Sequence, residues 1–125
     1  MATINPTLQS RPLPDPSIGE GVVQTVTWTA LTAANAVGGG VEINGRIADC
    51  VFQASGAFDG ATLALEGSND GVAWAPLTDS AGAAIALTAG GFAQPEARPV
   101  LARPATTGGG GGQDIDVVLA IRVGR

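Results

Sequence analysis

The sequence predicts an all-β protein: a single antiparallel β-sandwich, jelly-roll-like, with an extended N-terminal arm. Three observations carry that expectation. Apolar and polar residues alternate with a period of two in several short runs, most cleanly over residues 114–123. The runs are separated by turn-forming residues, and 19 glycines and 8 prolines argue against long helices. Much of the 45% hydrophobic content is alanine, which suits thin, closely packed strands. At 125 residues the chain supports one core, so it divides into an arm over residues 1–20 and a sandwich domain over residues 21–125.

In the first 20 residues Pro6, Pro12, Pro14 and Pro16 stand among polar residues, a spacing that works against regular backbone pairing and favours an extended or polyproline-like segment. Two readings stand: a loose tail, or an arm that orders only when laid across a neighbouring subunit. In the second, Pro6, Leu8, Arg11, Pro12, Leu13 and Pro14 are the partner-binding residues. Residues 22–31, VVQTVTWTAL, are rich in β-branched side chains, with Val22, Val26, Trp28 and Ala30 on one face and Trp28 in the core. A small-residue loop over 33–40 follows. Asn44-Gly45 is the strongest turn signal, because a two-residue type I′ turn needs positive φ at both positions. That register sets Ile43 opposite Arg46 and Val41 opposite Ala48. It groups Val41, Ala48, Cys50, Phe52 and Ala54 on an apolar face, with Glu42, Asp49 and Gln53 on the wet one.

Residues 61–77 read as a hairpin turning at Ser68-Asn69-Asp70-Gly71. Leu63 and Leu65 point one way and Thr62, Ala64 and Glu66 the other; Val72, Trp74 and Leu77 continue the second arm, and Pro76 marks an edge or strand end. Another turn at 78–82, a weak strand at 83–87 and a break at Gly90-Gly91 come next. Pro99 and Pro104 bracket Val100 and Leu101, which predicts an edge strand or an extended crossover. The five glycines of 108–112 form a flexible loop. In the last strand Ile115, Val117, Leu119, Ile121 and Val123 alternate with Asp114, Asp116, Val118, Ala120 and Arg122. Seven or eight strands suggest a sandwich, with a jelly roll preferred to an immunoglobulin-like order.

Composition excludes several function classes. The net charge is −5 and the six cations are arginines scattered singly, so the clustered basic stripe of a nucleic-acid binder is missing. The chain has no histidine, lysine or tyrosine, which removes the commonest general base, the Schiff-base amine and the phenolic acid. We therefore expect no catalytic residue, no cofactor and no metal site. Asp59, Asp70, Asp79, Asp114 and Asp116 lack calcium-loop spacing and read as turn or surface residues. Cys50 is the lone cysteine and reads as a small buried hydrophobe. The glycine run lacks the Lys-Ser or Lys-Thr of a phosphate loop. Aromatics make up 4%, which leaves Trp74 as the one carbohydrate-platform candidate, with core packing the preferred account of it. The N-terminus lacks the features of a secretory signal, implying synthesis in a cytoplasm, and the most apolar window, 81–93, is too short and small for a membrane span.

The segment GSNDGVAWAPLTDSAG at 67–82, together with VTWTAL at 26–31 and the closing alternating strand, resembles the small β-sandwich proteins of tailed bacteriophages. Within that group the chain is most similar, from Val22 onward, to the capsid decoration, or cement, proteins. The resemblance implies a non-enzymatic virion structural protein on the capsid exterior, made in the host cytoplasm, that binds the major capsid protein as a homo-oligomer (dimer or trimer) and stabilises the shell. Ser68, Asp70, Gly71 and Trp74 also match the Ser-x-Asp-Gly-x-x-Trp hairpin of discoidin-type glycan or lipid binding domains. Those are usually longer and disulfide-linked, which this chain cannot be. That second resemblance implies a glycan-binding module of a phage head or tail fibre, with Trp74 on the sugar.

Overall fold

The computed structural model describes residues 3–4, 6–12, 22–43, 47–96 and 99–123, and among them every regular element is a strand. In chain order these are β1 (Thr3–Ile4), β2 (Thr7–Pro12), β3 (Val22–Leu31), β4 (Val37–Gly38), β5 (Val41–Glu42), β6 (Ile47–Ala57), β7 (Thr62–Ser68), β8 (Ala75–Pro76), β9 (Ala86–Leu87), β10 (Gly91–Ala93), β11 (Leu101–Thr107) and β12 (Asp114–Val123). They form a β-sandwich. A five-stranded sheet runs β10-β6-β12-β3-β2, and a seven-stranded sheet runs β1-β4-β11-β7-β8, with β5 also on β11 and β9 also on β7. The strand pairs are antiparallel except β1 with β4, which is parallel.

Alternation builds the core. Ile115, Val117, Leu119 and Ile121 of β12 all point inward and are at most 2% exposed. Cys50, Phe52 and Ala54 of β6 and Val26 and Trp28 of β3 flank them on the same sheet, and Leu63, Leu65 and Ala102 close over them from the other. Each fully buried large side chain stabilises the fold by roughly 1.5–3 kcal/mol. Trp28 is wholly buried and its indole Nε1–H donates to the Gly39 carbonyl at 2.8 Å. Its ring stacks on Phe52 with centroids 6.4 Å apart. Gly38 must be glycine, because a Cβ there would lie 2.5 Å from Trp28 Cδ1 and 2.8 Å from Pro104 Cγ.

Several expectations are corrected. The turn at Asn44-Gly45 lies outside the described residues, but the strands beside it do not pair with each other. Val41 lies opposite Ala102 and Glu42 opposite Leu101, whereas β6 belongs to the other sheet. The chain changes sheets here, with Ile43 fully buried and its N–H bonded to the Val100 carbonyl at 2.9 Å. Ala30 leaves the inward face: its φ is 60°, the β3–β12 register shifts opposite Ile115–Val117, and Leu31 is buried instead. This β-bulge is held by the Ala30 N–H, which donates to Asp116 Oδ1 at 2.9 Å. Gly91 is not a break but the first residue of β10, opposite Ala54. The weak strand at 83–87 reduces to Ala86–Leu87 and a bridge between Ala84 and Thr78.

Pro104 is a further correction, for it is buried inside a strand flanked on both sides. Backbone groups of alternate strand residues point the same way. The Val100 carbonyl accepts from Ile43 and the Thr106 N–H donates to the Ala36 carbonyl at 2.8 Å, so the missing Pro104 donor faces the β4–β5 side. There residues 39–40 separate β4 from β5, and the Gly39 carbonyl is already bonded to Trp28. No ladder bond is lost at Pro104.

The glycine loop is anchored, not loose. Asp59 Oδ2 accepts from the Gly112 N–H at 2.8 Å, and the Asp59 carbonyl accepts from Gly110 at 3.1 Å. Beside it, buried Gln113 donates through Nε2 to the Leu31 carbonyl at 3.2 Å and to Thr106 Oγ1 at 2.8 Å. The Thr106 hydroxyl donates onward to the Ala36 carbonyl at 3.0 Å.

The segment Thr7–Pro12 also pairs regularly, with Thr7 opposite Thr27 and Pro12 opposite Val22. Prolines are tolerated because β2 is an edge strand and Pro12 ends it. β1 meanwhile adds to the opposite sheet, so β1 and β2 between them join both sheets. Deleting residues 1–12 should therefore lower the thermal midpoint, by the equivalent of about 2–4 kcal/mol if each lost ladder bond contributes about 0.5–1 kcal/mol. An unchanged midpoint by calorimetry would mean that β2 adds nothing to the folded domain.

Candidate functional site

Of the residues singled out for binding, the arm set lies only partly within the described residues. Leu8, Arg11 and Pro12 occupy β2 positions opposite Val26, Val23 and Val22, Pro6 precedes that strand half-buried, and Leu13 and Pro14 lie outside the described residues. The structure instead builds a local site around Trp74.

Its foundation is the turn after β7. Ser68 is buried, and its Oγ accepts from the Gly71 N–H at 2.8 Å and the Asp70 N–H at 3.3 Å. Asp70 Oδ1 accepts from the Val72 N–H at 2.8 Å, the Ala73 N–H at 3.0 Å and the Ser68 hydroxyl at 3.0 Å. Asn69 Oδ1 reaches across to the Val100 N–H at 2.9 Å. Gly71 has φ of 79°, the left-handed conformation that favours glycine. Ser68 and Asp70 thus shape the turn's own backbone, and Asn69 ties it to Val100.

The turn occupies residues 69–74, and only Ala75–Pro76 pairs back onto Glu66 and Gly67. Alternation therefore does not run through Val72 and Trp74. Val72 is 84% exposed, and Leu77 reaches the core with its N–H bonded to the Leu65 carbonyl at 2.8 Å. Trp74 is half-buried and outside the core, which corrects the core assignment. Arg103 lies over its ring, 4.0 Å from the centroid. That guanidinium is held by Glu66, opposite it on β7, with Nε and Nη2 each 2.8 Å from Oε1. At the rim of the ring, Gly40 leaves room that a Cβ would take, 2.7 Å from Cη2. Arg103 and Glu66 carry no signal in the sequence, because their proximity depends on which strands pair.

The side chains of Arg103 and Glu66 are 26% and 27% exposed, so the pair contributes on the order of 0.2–1 kcal/mol. Chemically the cluster offers a flat aromatic with one face covered by a cation and a carboxylate beside it. The other candidate carboxylates serve loops: Asp59 and Asp116 as described, and Asp79 by accepting from Ala81 at 2.9 Å and Ala83 at 3.1 Å. Asp114 is exposed, and Cys50 is buried in the core. Among the described residues no three metal-binding side chains come together, and no helix is long and apolar enough to cross a membrane. No protein-family profile, curated protein or solved structure matches the chain.

The Ala73 and Val72 N–H groups and the Ser68 hydroxyl hold the Asp70 carboxyl below its ordinary value of 3.8. A depressed carboxylate contributes stability above its unfolded value and loses it as pH falls through the folded one. Lowering the pH from about 5 to about 3 should accordingly reduce the protection of the Val72 and Ala73 amides relative to their intrinsic exchange rates at each pH, and Asp70→Ala should produce the same loss of protection at neutral pH. Trp74→Ala should cost only about 0.5–1 kcal/mol, the scale of an exposed cation–π contact, whereas Trp28→Ala should cost about 3–5 kcal/mol. Urea unfolding of the two variants measures both; equal losses would return Trp74 to the core.

Proposed function

We propose that this chain is a non-enzymatic structural protein of a phage virion, seated on the capsid exterior against the major capsid protein and strengthening the shell. The observation that carries this reading is the use made of the polar side chains. Asp59, Asp70, Asp79, Asp116, Asn69, Ser68, Thr106 and Gln113 are all bonded to backbone groups that fix loops or join strands. Side chains tied down in this way stiffen a scaffold and are poorly placed to exchange protons with a substrate.

The strand order supports the same reading. With β4 and β5 counted as one strand and β8 and β9 as another, the eight strands from β3 onward fall in the orders 6-3-8-1 and 2-7-4-5. We read this as a jelly roll, an architecture shared by viral capsid and lectin domains. The likeness of residues 67–82 to the small β-sandwich proteins of tailed bacteriophages points in the same direction.

A second reading, glycan binding by a head or tail fibre, is favoured by the position of Trp74 outside the core. A sugar would stack on the indole and bond to Arg103 and Glu66. Since Arg103 already covers one ring face, that site offers a single stacking surface.

Mixing the purified protein with mature shells of the same genome's major capsid protein tests the first reading by co-sedimentation. Saturable binding at a whole-number ratio per capsomer is expected. Absence of binding to expanded shells would end the capsid proposal, and saturable glycan binding lost in Trp74→Ala would then establish the second.

A further inference from the structure

Among the described residues two Asp-Gly pairs occur, Asp59-Gly60 and Asp70-Gly71, and all four residues are exposed. Asp-Gly is the pair most prone to a spontaneous rearrangement, because glycine puts no side chain in the way of its own nitrogen. That nitrogen attacks the neighbouring aspartyl Cγ. The proton of the N–H and the hydroxyl of the protonated carboxyl leave together as water, and a five-membered succinimide closes. Water then opens the ring at either carbonyl, restoring aspartate or leaving isoaspartate, in which the chain runs through the former side-chain carboxyl. One water leaves and one returns, so no oxidant, metal or partner is consumed.

In a folded chain the glycine N–H must be free, the carboxyl must be able to swing onto it, and the carboxyl must be protonated. Exposure is common to both pairs, and the two turns differ in all that remains. At Asp70-Gly71 the glycine N–H is engaged, donating to Ser68 Oγ at 2.8 Å. The carboxylate is pinned through Oδ1 by the Val72 and Ala73 N–H groups and the Ser68 hydroxyl. The Ala73 and Val72 bonds also hold this carboxyl below its ordinary value, which makes its protonated form scarcer.

At Asp59-Gly60 the chain has φ of 47° and 83°, positive at both positions as in a type I′ turn, and the Ala61 N–H closes it on the Phe58 carbonyl at 2.8 Å. Between them the Gly60 N–H makes no hydrogen bond. A single bond holds the carboxylate, from the Gly112 N–H to Oδ2 at 2.8 Å, and that donor belongs to the glycine loop that Asp59 itself anchors. The left-handed φ is one that a residue with a side chain adopts at a cost, so Asp59 starts from a strained backbone.

We propose that the Asp59-Gly60 link is a site of spontaneous isomerisation in the folded protein, and that the Ser68 and Asp70 hydrogen bonds shield Asp70-Gly71 from the same reaction. The effect at Asp59 reaches past one residue. Isoaspartate lengthens the turn by one backbone atom and displaces both acceptors that hold the glycine loop, the Asp59 carbonyl for Gly110 and Oδ2 for Gly112. Gly109 of that loop packs against the Gln113 amide, where an added Cβ would run into Oε1. The loop that loosens is therefore the one beside the buried bond from Gln113 to Thr106. The reaction belongs to the chain alone and is independent of the capsid and glycan readings.

Ageing the full chain in neutral buffer tests the proposal. Cleavage after Glu42, Glu66 and Glu96 then places the two pairs in separate peptides, 43–66 and 67–96. Electron-transfer fragmentation reads isoaspartate in each. A sample kept in urea is the unfolded reference, and ageing continues until it shows isoaspartate at both positions at similar rates. In the folded chain isoaspartate should accumulate at least about tenfold faster at Asp59 than at Asp70, since each hydrogen bond that must break slows the reaction by up to about that factor. Ser68→Ala, with its circular dichroism spectrum unchanged, should raise the rate at Asp70 and leave that at Asp59 as it was. Equal rates at the two pairs in the folded chain, no isoaspartate at Asp59 when the urea sample forms it, or an unchanged rate at Asp70 in folded Ser68→Ala would each overturn the proposal.

Discussion

The hydrogen bond from Trp28 to the Gly39 carbonyl is the constraint from which much of this sandwich follows. A fully buried indole needs a partner for its N–H, since leaving it unmet costs roughly 1–3 kcal/mol. The partner here is backbone from the opposite sheet, so one contact satisfies the donor and fixes the distance between layers. Recruiting Gly39 interrupts the strand that would otherwise run from Val37 to Glu42, dividing it into β4 and β5. That interruption is what lets a proline stand inside β11, and the close approach of indole and proline ring is what requires glycine at position 38. Tryptophan, glycines and proline, far apart in the chain, form one interlocked arrangement.

At the edges of the core a different economy of polar groups applies. Gln113 and Thr106 bridge β11, the end of β3 and the residue before β4, and the buried side-chain polar atoms described here all have partners. The turns at Asp59 and Asp70 use carboxylates at the surface in a similar way, Asp59 accepting from the Gly112 N–H and Asp70 from the successive N–H groups of Val72 and Ala73. Such turns hold their shape without metal or disulfide, which suits a chain with one cysteine and no histidine. The functional reading follows from this rigidity: what the molecule presents to others is shaped surface.

Much of the inward face was legible in the chain itself. The alternation of β12, the Cys50-Phe52-Ala54 run, the Leu63-Leu65 pair and the burial of Trp28 all depend on a local period of two. Partner choice was not legible, for a physical reason. From β3 onward, with β4 and β5 counted as one strand, consecutive strands lie in opposite sheets everywhere except at β7 and the β8–β9 pair. The Ser-Asn-Asp-Gly turn is the one connection there that pairs neighbouring strands, and it is the hairpin that turn chemistry identified correctly. Asn44-Gly45 carries an equally good turn signature, but it stands between strands of different sheets, so the inferred pairing of Val41 with Ala48 fails. The Trp74 site shares this limit: Arg103 meets Glu66 across 37 residues of sequence, and the ring's outward position follows from the turn taking up the residues that alternation would have assigned to a strand.

The central place of β12 sets the order in which the molecule can be made. β12 lies between β6 and β3, and β3 in turn carries β2. Until residues 114–123 have left the ribosome, β3 and β6 have no ladder to join them, and the early strands emerge with apolar faces uncovered. Folding therefore waits on long-range closure, the slow regime for chains dominated by non-local contacts. During that interval the small side chains, the turns and the acidic charge that separate one growing strand from another are what keep nascent chains from adhering to each other.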